Sequence, residues 1–307
     1  KRMATERRAV SFETLDVFTT TPFGGNPLAV VFGAEEADDA TLQRIACEFN
    51  LSETTFVLPP ADTDNTARLR IFTPTAELPF AGHPNVGTAC VLGWRGEAFG
   101  KQIGTEVYFE EVCGIVKLIR LTFNEVDYWQ LEAPMPFEVS TEGKGDVSLA
   151  DAAECLGLDR LDIVSEGRVA SLGGNGYVLI ELETRASLVE CVPNPMAIAR
   201  TSPGKVLAWV RAGGDDDFDI ICRMFKRCGT EDAATGAACC CLLGLLATLP
   251  RSDASVTRFK RRIAQGVEMG RPSLLLGECD LANQWPTGVR IAGACVPMMR
   301  GELALHG

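Results

Sequence analysis

Short runs of β-branched and aromatic residues alternate with polar positions along much of the chain, a pattern that predicts strands. Turns rich in proline and glycine separate these runs. In the first half the predicted strands cover 15–18, 28–32, 55–58 and 69–72, and a predicted hairpin over 107–123 turns near Gly114. In the second half the predicted strands cover 178–182, 205–211 and 218–225. An amphipathic helix is predicted over 41–49.

Two longer apolar runs are better explained as helices buried on all sides. They cover 85–94 in the first half and 237–249 in the second. Each half is therefore predicted to contain several strands wrapped around one apolar helix.

Three landmarks occur twice in the same order, at an offset of about 150 residues. Gly-Gly-Asn precedes a strand-like run at 24–26 and at 173–175, and Arg-x-Phe occurs at 70–72 and at 223–225. Eleven residues after each phenylalanine comes the start of an apolar helix, at His83 and at Gly236. One such match would most simply be coincidence, whereas three in order favour a duplicated domain.

The duplication predicts two lobes. The first covers 11–127 and is completed by the last strand, at about 294–305, and the second covers 128–293. Duplicated lobes commonly bind their ligand in the cleft that separates them, so we expect a cleft site.

Composition narrows the possible partners and the compartment. The 29 basic and 41 acidic residues give a net charge of −12, which disfavours nucleic acid and anionic membranes as partners. The longest apolar run, 237–249, is shorter than the ~20 residues that cross a bilayer. The twelve cysteines include no C-x-x-C pair, so we expect buried reduced thiols and a cytoplasmic location.

The loops that lead into the two apolar helices carry candidate chemistry. Segments 77–84 and 229–237 are rich in small residues and end at a helix N-terminus, whose free N–H groups attract carboxylate or phosphate. Gly82 and Gly236 would let a ligand approach the backbone, although they could equally serve only to relieve crowding. The sequence has no dinucleotide or P-loop motif and two histidines, so we expect no cofactor and no metal.

Several longer motifs resemble the phenazine-biosynthesis PhzF-like isomerase family over about 15–303. They are FGGNP at 23–27, LSETTF at 51–56, RIFTP at 70–74, ELPFAGHP at 77–84, EDAATG at 231–236, QG at 265–266 and MGRPS at 269–273. The resemblance implies an α+β fold like that of diaminopimelate epimerase. In that fold two similar lobes each wrap a curled, mostly antiparallel sheet around a central helix.

The resemblance also implies roles for three residues. Glu53, in the S-E-T motif, would carry a proton from one carbon of the substrate to another. His83, in the A-G-H-P motif, would hydrogen-bond the substrate or stabilise charge on its π system. Asp232, in the E-D-x-A-T-G motif, would be a second polar partner. Without the resemblance, Glu53 would be interpreted as a turn or surface carboxylate, His83 as a residue bonding the helix start, and Asp232 as an N-cap.

The chain departs from the family pattern at two positions. Ala233 replaces a usual proline, and Ala237 replaces a serine that often follows A-T-G and whose hydroxyl would help bind a carboxylate. The predicted binding residues are Gly82, Thr235, Gly236 and Ala237.

The resulting prediction is an isomerase without cofactor that acts on a small carboxylate-bearing substrate and forms a homodimer. A catalytically silent protein that binds a metabolite is the alternative, and Ala237 is the feature that favours it. A scaffold protein would require the three matched polar residues to be accidental.

Overall fold

The computed structural model describes residues 8–133, 136–140, 146–213, 217–249 and 255–305. The chain forms two compact units. Unit 1 comprises 1–23, 27–131 and 294–307, and unit 2 comprises 24–26 and 132–293. In the part of the chain that the structure describes, no helix combines the length and the apolar character needed to cross a bilayer.

Unit 1 contains a mostly antiparallel sheet, a separate short two-stranded sheet and two helices. Its strands are β1 (Arg8–Val17), β2 (Asn26–Phe32), β3 (Glu53–Leu58), β4 (Ala67–Phe72), β5 (Glu77–Leu78), β6 (Glu97–Ala98), β7 (Lys101–Gln102), β8 (Glu106–Glu111), β9 (Gly114–Phe123), β10 (Val126–Glu132) and β20 (Cys295–Leu305). Its helices are α1 (Asp39–Phe49) and α2 (Gly82–Arg95). The final strand β20 returns to pair with β1. The parallel pairs β2–β3 and β4–β8 are each bridged by one helix, α1 and α2 respectively.

The two helices of unit 1 use opposite faces of its strands. Along β2, Leu28 meets α2 so closely that a Cβ on Gly87 would lie 2.5 Å from it. Val31, three positions along, packs instead into the apolar cluster that contains Leu42 of α1. Alternating strand positions point to opposite faces, which explains why the strand is apolar at nearly every position. Most of α2 is buried, as its mostly apolar run predicted.

Unit 2 has the same kind of sheet around its own helix. Its strands are β11 (Phe137–Val139), β12 (Arg168–Leu172), β13 (Asn175–Glu181), β14 (Val206–Arg211), β15 (Ile220–Phe225), β16 (Glu231–Asp232), β17 (Arg258–Gln265), β18 (Ser273–Ala282) and β19 (Trp285–Gly293). Its helices are α3 (Leu149–Leu156), α4 (Arg185–Glu190), α5 (Pro195–Arg200) and the central α6 (Gly236–Thr248). A 3₁₀ turn covers Arg160–Asp162.

The duplication read from the sequence is visible in the strand order of the two units. In unit 2 the parallel pairs are β13–β14 and β15–β17, which match β2–β3 and β4–β8. The central helices begin at Gly82 and at Gly236. The spacing had matched His83 with Gly236. The structure matches Gly82 with Gly236 instead, a shift of one position in unit 1.

Candidate active site

Glu53 and His83 lie side by side in unit 1. Glu53 is the first residue of β3, where Leu28 of the parallel strand β2 stands opposite it. His83 is the second residue of α2, and its Nε2 lies 3.4 Å from Oε2 of Glu53. The histidine side chain is 6% exposed and the glutamate 15%, so the pair is largely removed from water. The strand start and the helix start bring together two groups that can both exchange protons.

The first turn of α2 has no side-chain cap of its own. Its N-cap residue is Ala81, whose side chain cannot accept a hydrogen bond from the helix. Asn85 strengthens the turn instead, because its Nδ2 donates to the carbonyl of Ala81 over 2.9 Å. The N–H groups of the first turn cannot bond within the helix, which makes this turn a candidate for binding an anionic group.

A third ionisable group, Glu111, lies close to this helix start. Glu111 ends β8 and interacts with the side chain of Asn85. Burial raises the pKa of Glu111 to about 8, and the contacts with Asn85 and Cys113 lower it by less. The sequence motifs gave no signal for Glu111, because it follows an ordinary strand pattern and no motif contains it.

Asp232 lies in unit 2, on the short strand β16 that precedes α6. Its Oδ2 accepts a hydrogen bond of 2.5 Å from the Thr235 hydroxyl. Its Oδ1 lies 3.3 Å from Nζ of Lys226 and accepts from Nδ2 of Asn26 over 3.3 Å. Both carboxylate oxygens are thus engaged, and Asp232 fixes the loop that leads into α6. It is not the N-cap: Thr235 holds that position, and its side chain makes no capping bond.

Gln265 completes this loop from the end of β17. Its Oε1 accepts from the Thr235 N–H over 3.0 Å, and its Nε2 donates to the Asp232 carbonyl over 2.9 Å and to the Thr235 hydroxyl over 3.0 Å. The side chain is fully buried. The sequence contained Gln265 within a family motif, but only the structure shows that it orients the helix start.

Gly236 and Ala237 open α6. Gly236 is buried and Ala237 is half-buried, so the first turn can be reached from solvent beside the alanine methyl group. Asn26, from the first Gly-Gly-Asn motif, also donates to the carbonyl of Ala234 over 2.9 Å. The residues predicted to bind substrate therefore lie in two ordered helix starts, Gly82 in unit 1 and Thr235, Gly236 and Ala237 in unit 2.

The same charged pair supports the loop before each helix. In unit 1, Arg70 makes two hydrogen bonds to Glu77, of 2.7 and 2.6 Å. In unit 2, Arg223 makes two to Glu231, of 3.0 and 2.8 Å. The repeated Arg-x-Phe landmark thus marks a bidentate pair that ties the strand to the segment approaching the helix.

The duplication places a different residue at the position of Glu53 in unit 2. The repeat aligns Val178 with Ala29. Val178 pairs with Val206 and Ala29 pairs with Thr54, so the residues just before these partners, Lys205 and Glu53, correspond. Desolvation lowers the pKa of Lys205, whose ammonium group contacts Asn175 and lies 4.4 Å from the centre of the Tyr177 ring. The acid–base pair of unit 1 therefore has no copy in unit 2. The sequence motifs did not indicate this position, because the correspondence follows from the strand registers of the folded chain.

Comparison with known proteins identifies the family. The sequence profile described as phenazine biosynthesis-like protein matches residues 15–301. The chain belongs to the phenazine biosynthesis-like protein family. An uncharacterised isomerase of Mesorhizobium japonicum is 33% identical over 94% of this chain and 96% of its own length. The trans-2,3-dihydro-3-hydroxyanthranilate isomerase of Pseudomonas fluorescens is 32% identical over 96% of this chain and 99% of its own.

Solved structures of the phenazine biosynthesis-like family and of epimerases share the fold. A PhzF family protein from Bacillus anthracis has a TM-score of 0.86 at 22% identity, covering 97% of this chain and 100% of its own. A predicted epimerase from Pseudomonas aeruginosa has a TM-score of 0.72 at 27% identity, and the match covers 95% of this chain and 98% of the epimerase. The predicted family, the epimerase-like α+β fold and the enzyme class, an isomerase, are confirmed.

Proposed function

We propose that this isomerase moves a proton between two carbons of a small, unsaturated carboxylate, and that Glu53 carries the proton. The observation that carries the proposal is the contact between Glu53 and His83 at the start of α2. A half-buried carboxylate beside an imidazole is a pair that can take up and release a proton without a cofactor.

The proposed reaction conserves every atom. Glu53 in its carboxylate form removes a proton from one carbon, and the electron pair of that C–H bond shifts into the adjoining π system. The carboxyl group then delivers the proton to a second carbon, where the new C–H bond takes the electron pair from the far end of the π system. His83, held next to Glu53, stabilises the charge that develops between the two steps.

Anion binding is proposed at each helix start. The first turns of α2 and α6 offer backbone N–H donors and the positive end of a helix dipole. Asp232 has both oxygens engaged, so we propose that it orients the α6 start through Thr235 and Lys226.

The relatives suggest a substrate class. The Pseudomonas fluorescens relative is named for trans-2,3-dihydro-3-hydroxyanthranilate, a cyclic unsaturated carboxylate. Ala237 lacks the hydroxyl that often follows A-T-G in the family, and we propose that this chain prefers a related carboxylate. The same alanine favours the second candidate function, a metabolite-binding protein that performs no chemistry.

Proton transfer separates the two candidates. The protein is incubated in D₂O with trans-2,3-dihydro-3-hydroxyanthranilate and with a panel of cyclic unsaturated carboxylates, and products are followed by NMR. Formation of an isomer of any compound supports the isomerase. Binding of a carboxylate in calorimetry, with neither isomer nor deuterium exchange in any compound, supports the binding protein.

We also propose a reducing, cytoplasmic location and a homodimer. Supporting the location, all twelve cysteines are thiols rather than disulfides. Sedimentation at several protein concentrations tests the homodimer.

A further inference from the structure

Glu111, a half-buried residue next to the first turn of α2, has no role in the reaction proposed above. Oε1 of Glu111 is buried and has no hydrogen-bond partner among the described residues. The same holds for Oδ1 of Asn85, whose side chain Glu111 contacts. A carboxylate and an amide oxygen are both acceptors, and a buried acceptor without a donor is costly.

Glu111 touches both segments that hold the helix start in place. Asn85, on α2, donates to the carbonyl of Ala81, the residue just before Gly82 and His83. Cys113 donates its N–H to the carbonyl of Pro79 over 3.2 Å, and its Sγ lies 3.9 Å from Oε2 of Glu111. Movement at Glu111 would therefore be passed to the loop before His83 from two sides.

The surroundings leave Glu111 neutral at pH 7. Burial raises the pKa of its carboxyl group to about 8. The Cys113 thiol, although exposed as a residue, stays neutral as well, because partial desolvation and the neighbouring Glu111 raise its pKa to about 11. From α2 the titratable group is His83, with Glu53 beside it. From β4, which runs alongside β8, the charged groups are Arg68 and Arg70, and Arg70 is paired with Glu77 and Asp39. From β9, which pairs with β8 on its other side, they are Lys117, paired with Glu106, and Arg120.

We propose that Glu111 in its protonated form is a positioning residue for the α2 start, and that its ionisation sets the alkaline limit of the enzyme's activity. The neutral carboxyl group carries an O–H that can donate a hydrogen bond to Oδ1 of Asn85. On ionisation the donor is lost and a buried negative charge appears with no cation against it among the described residues. Hydrating the buried Oε1 requires the carboxylate to turn away from Asn85, which loosens the helix start and displaces His83 from Glu53.

The test compares two neighbouring glutamates on β8. Glu111→Gln removes the titration but keeps an amide that can donate. Glu110→Gln is the matched control: Glu110 accepts from the N–H groups of Ala61 and Asp62, and these bonds lower its pKa, so it is charged across the whole range. The readout is kcat/KM from pH 6 to 10 with a substrate identified by the isomerase assay.

The activity readout rests on the proposed function, and a second readout does not. We expect kcat/KM of the wild type and of Glu110→Gln to fall about tenfold between pH 7 and 9, because a group with a pKa near 8 is about nine-tenths ionised one unit higher. The kcat/KM of Glu111→Gln should fall less than twofold over the same pH range. An alkaline fall that persists unchanged in Glu111→Gln would overturn the proposal.

The second readout is the ¹³C shift of the Glu111 carboxyl group in selectively labelled protein, assigned by its loss in Glu111→Gln. A midpoint near pH 8 supports the proposal even if no substrate has been found. A midpoint near 4.5, the ordinary value, would contradict it whatever the enzyme catalyses.

Discussion

Nε2 of His83 lies 3.4 Å from Oε2 of Glu53, which joins the second residue of a central helix to the first residue of a neighbouring strand. Neither residue lies in a loop: each occupies the end of a regular element whose packing fixes it. Glu53 pairs with Leu28 of β2, and from the next residue, Thr54, its strand also pairs with β4. Such a pair can transfer protons without first rearranging, which is the property that a proton-carrying catalyst needs.

The duplicated arginine pairs should differ in their contribution to stability. Arg223 and Glu231 are 10% and 13% exposed, and Arg223 also donates to three backbone carbonyls. Glu231→Gln leaves that buried guanidinium without a carboxylate, which should lower the free energy of unfolding by about 3 kcal/mol. Glu77→Gln should cost at most about 1 kcal/mol, because Arg70 is more exposed and keeps Asp39.

Urea denaturation of the two variants at pH 7 checks this difference. Equal losses of unfolding free energy would show that burial does not separate the two pairs. A larger loss of unfolding free energy for Glu77→Gln would show that the Arg70 pair, not the Arg223 pair, contributes more to stability.

Glu111 should make stability fall as pH rises. Its pKa is raised from 4.5 to about 8 on folding, so between these values the folded protein holds a proton that the unfolded chain has released. The stabilising effect of that proton is complete below pH 4.5 and is lost as the pH rises to 8. Replacing the carboxyl by an amide removes this dependence. As the pH rises from 4.5 to 7, the free energy of unfolding of Glu111→Gln should increase relative to that of the wild type by on the order of 3 kcal/mol. One pKa unit corresponds to about 1.4 kcal/mol.

Thermal unfolding of both proteins across pH 4.5 to 8.5 measures the gain. Glu110→Gln serves again as control and should show no such trend. Parallel melting curves for Glu111→Gln and wild type at every pH would rule out a raised pKa.

Local patterns were enough to predict much of this structure. Apolar runs predicted the central helices, although α2 begins at Gly82 rather than at Asn85, because its first turn is built from small and polar residues. The pattern for β1 predicted only 15–18, while pairing with β20 extends the strand back to Arg8. That extension depends on residues almost 300 positions away, which no local window contains.

Contacts between segments that are distant along the chain could not be predicted from the sequence. Asn26 and Asp232 were both in recognisable motifs, yet their hydrogen bond joins residues 206 positions apart. The contact of Glu111 with Asn85 joins a strand end to a helix and follows no periodicity. Its raised pKa comes from burial, which is a property of the folded chain rather than of the residue.

Restoring the missing hydroxyl should change ligand affinity. Ala237→Ser adds a donor to the half-buried first turn of α6. A hydrogen bond to a charged group contributes about 1.5–3 kcal/mol, so trans-2,3-dihydro-3-hydroxyanthranilate should bind about 10- to 100-fold more tightly. Calorimetric titration of wild type and variant measures this, with acetate as a simple carboxylate for comparison. If the serine variant binds neither compound more tightly, the α6 start is not where the carboxylate is held.

The role of Glu53 is tested most directly by replacing its carboxyl group with an amide. Glu53→Gln keeps the shape of the side chain but cannot accept and return a proton, so kcat should fall about 10²- to 10⁴-fold while ligand affinity changes little. Glu48→Gln, on the exposed side of α1, is the matched control and should keep wild-type turnover. The decisive measurement is single-turnover isomerisation by the three proteins at pH 7. If Glu53 carries the proton, the chemical step is lost in Glu53→Gln alone. A Glu53→Gln variant that isomerises substrate within a few-fold of wild type would contradict it.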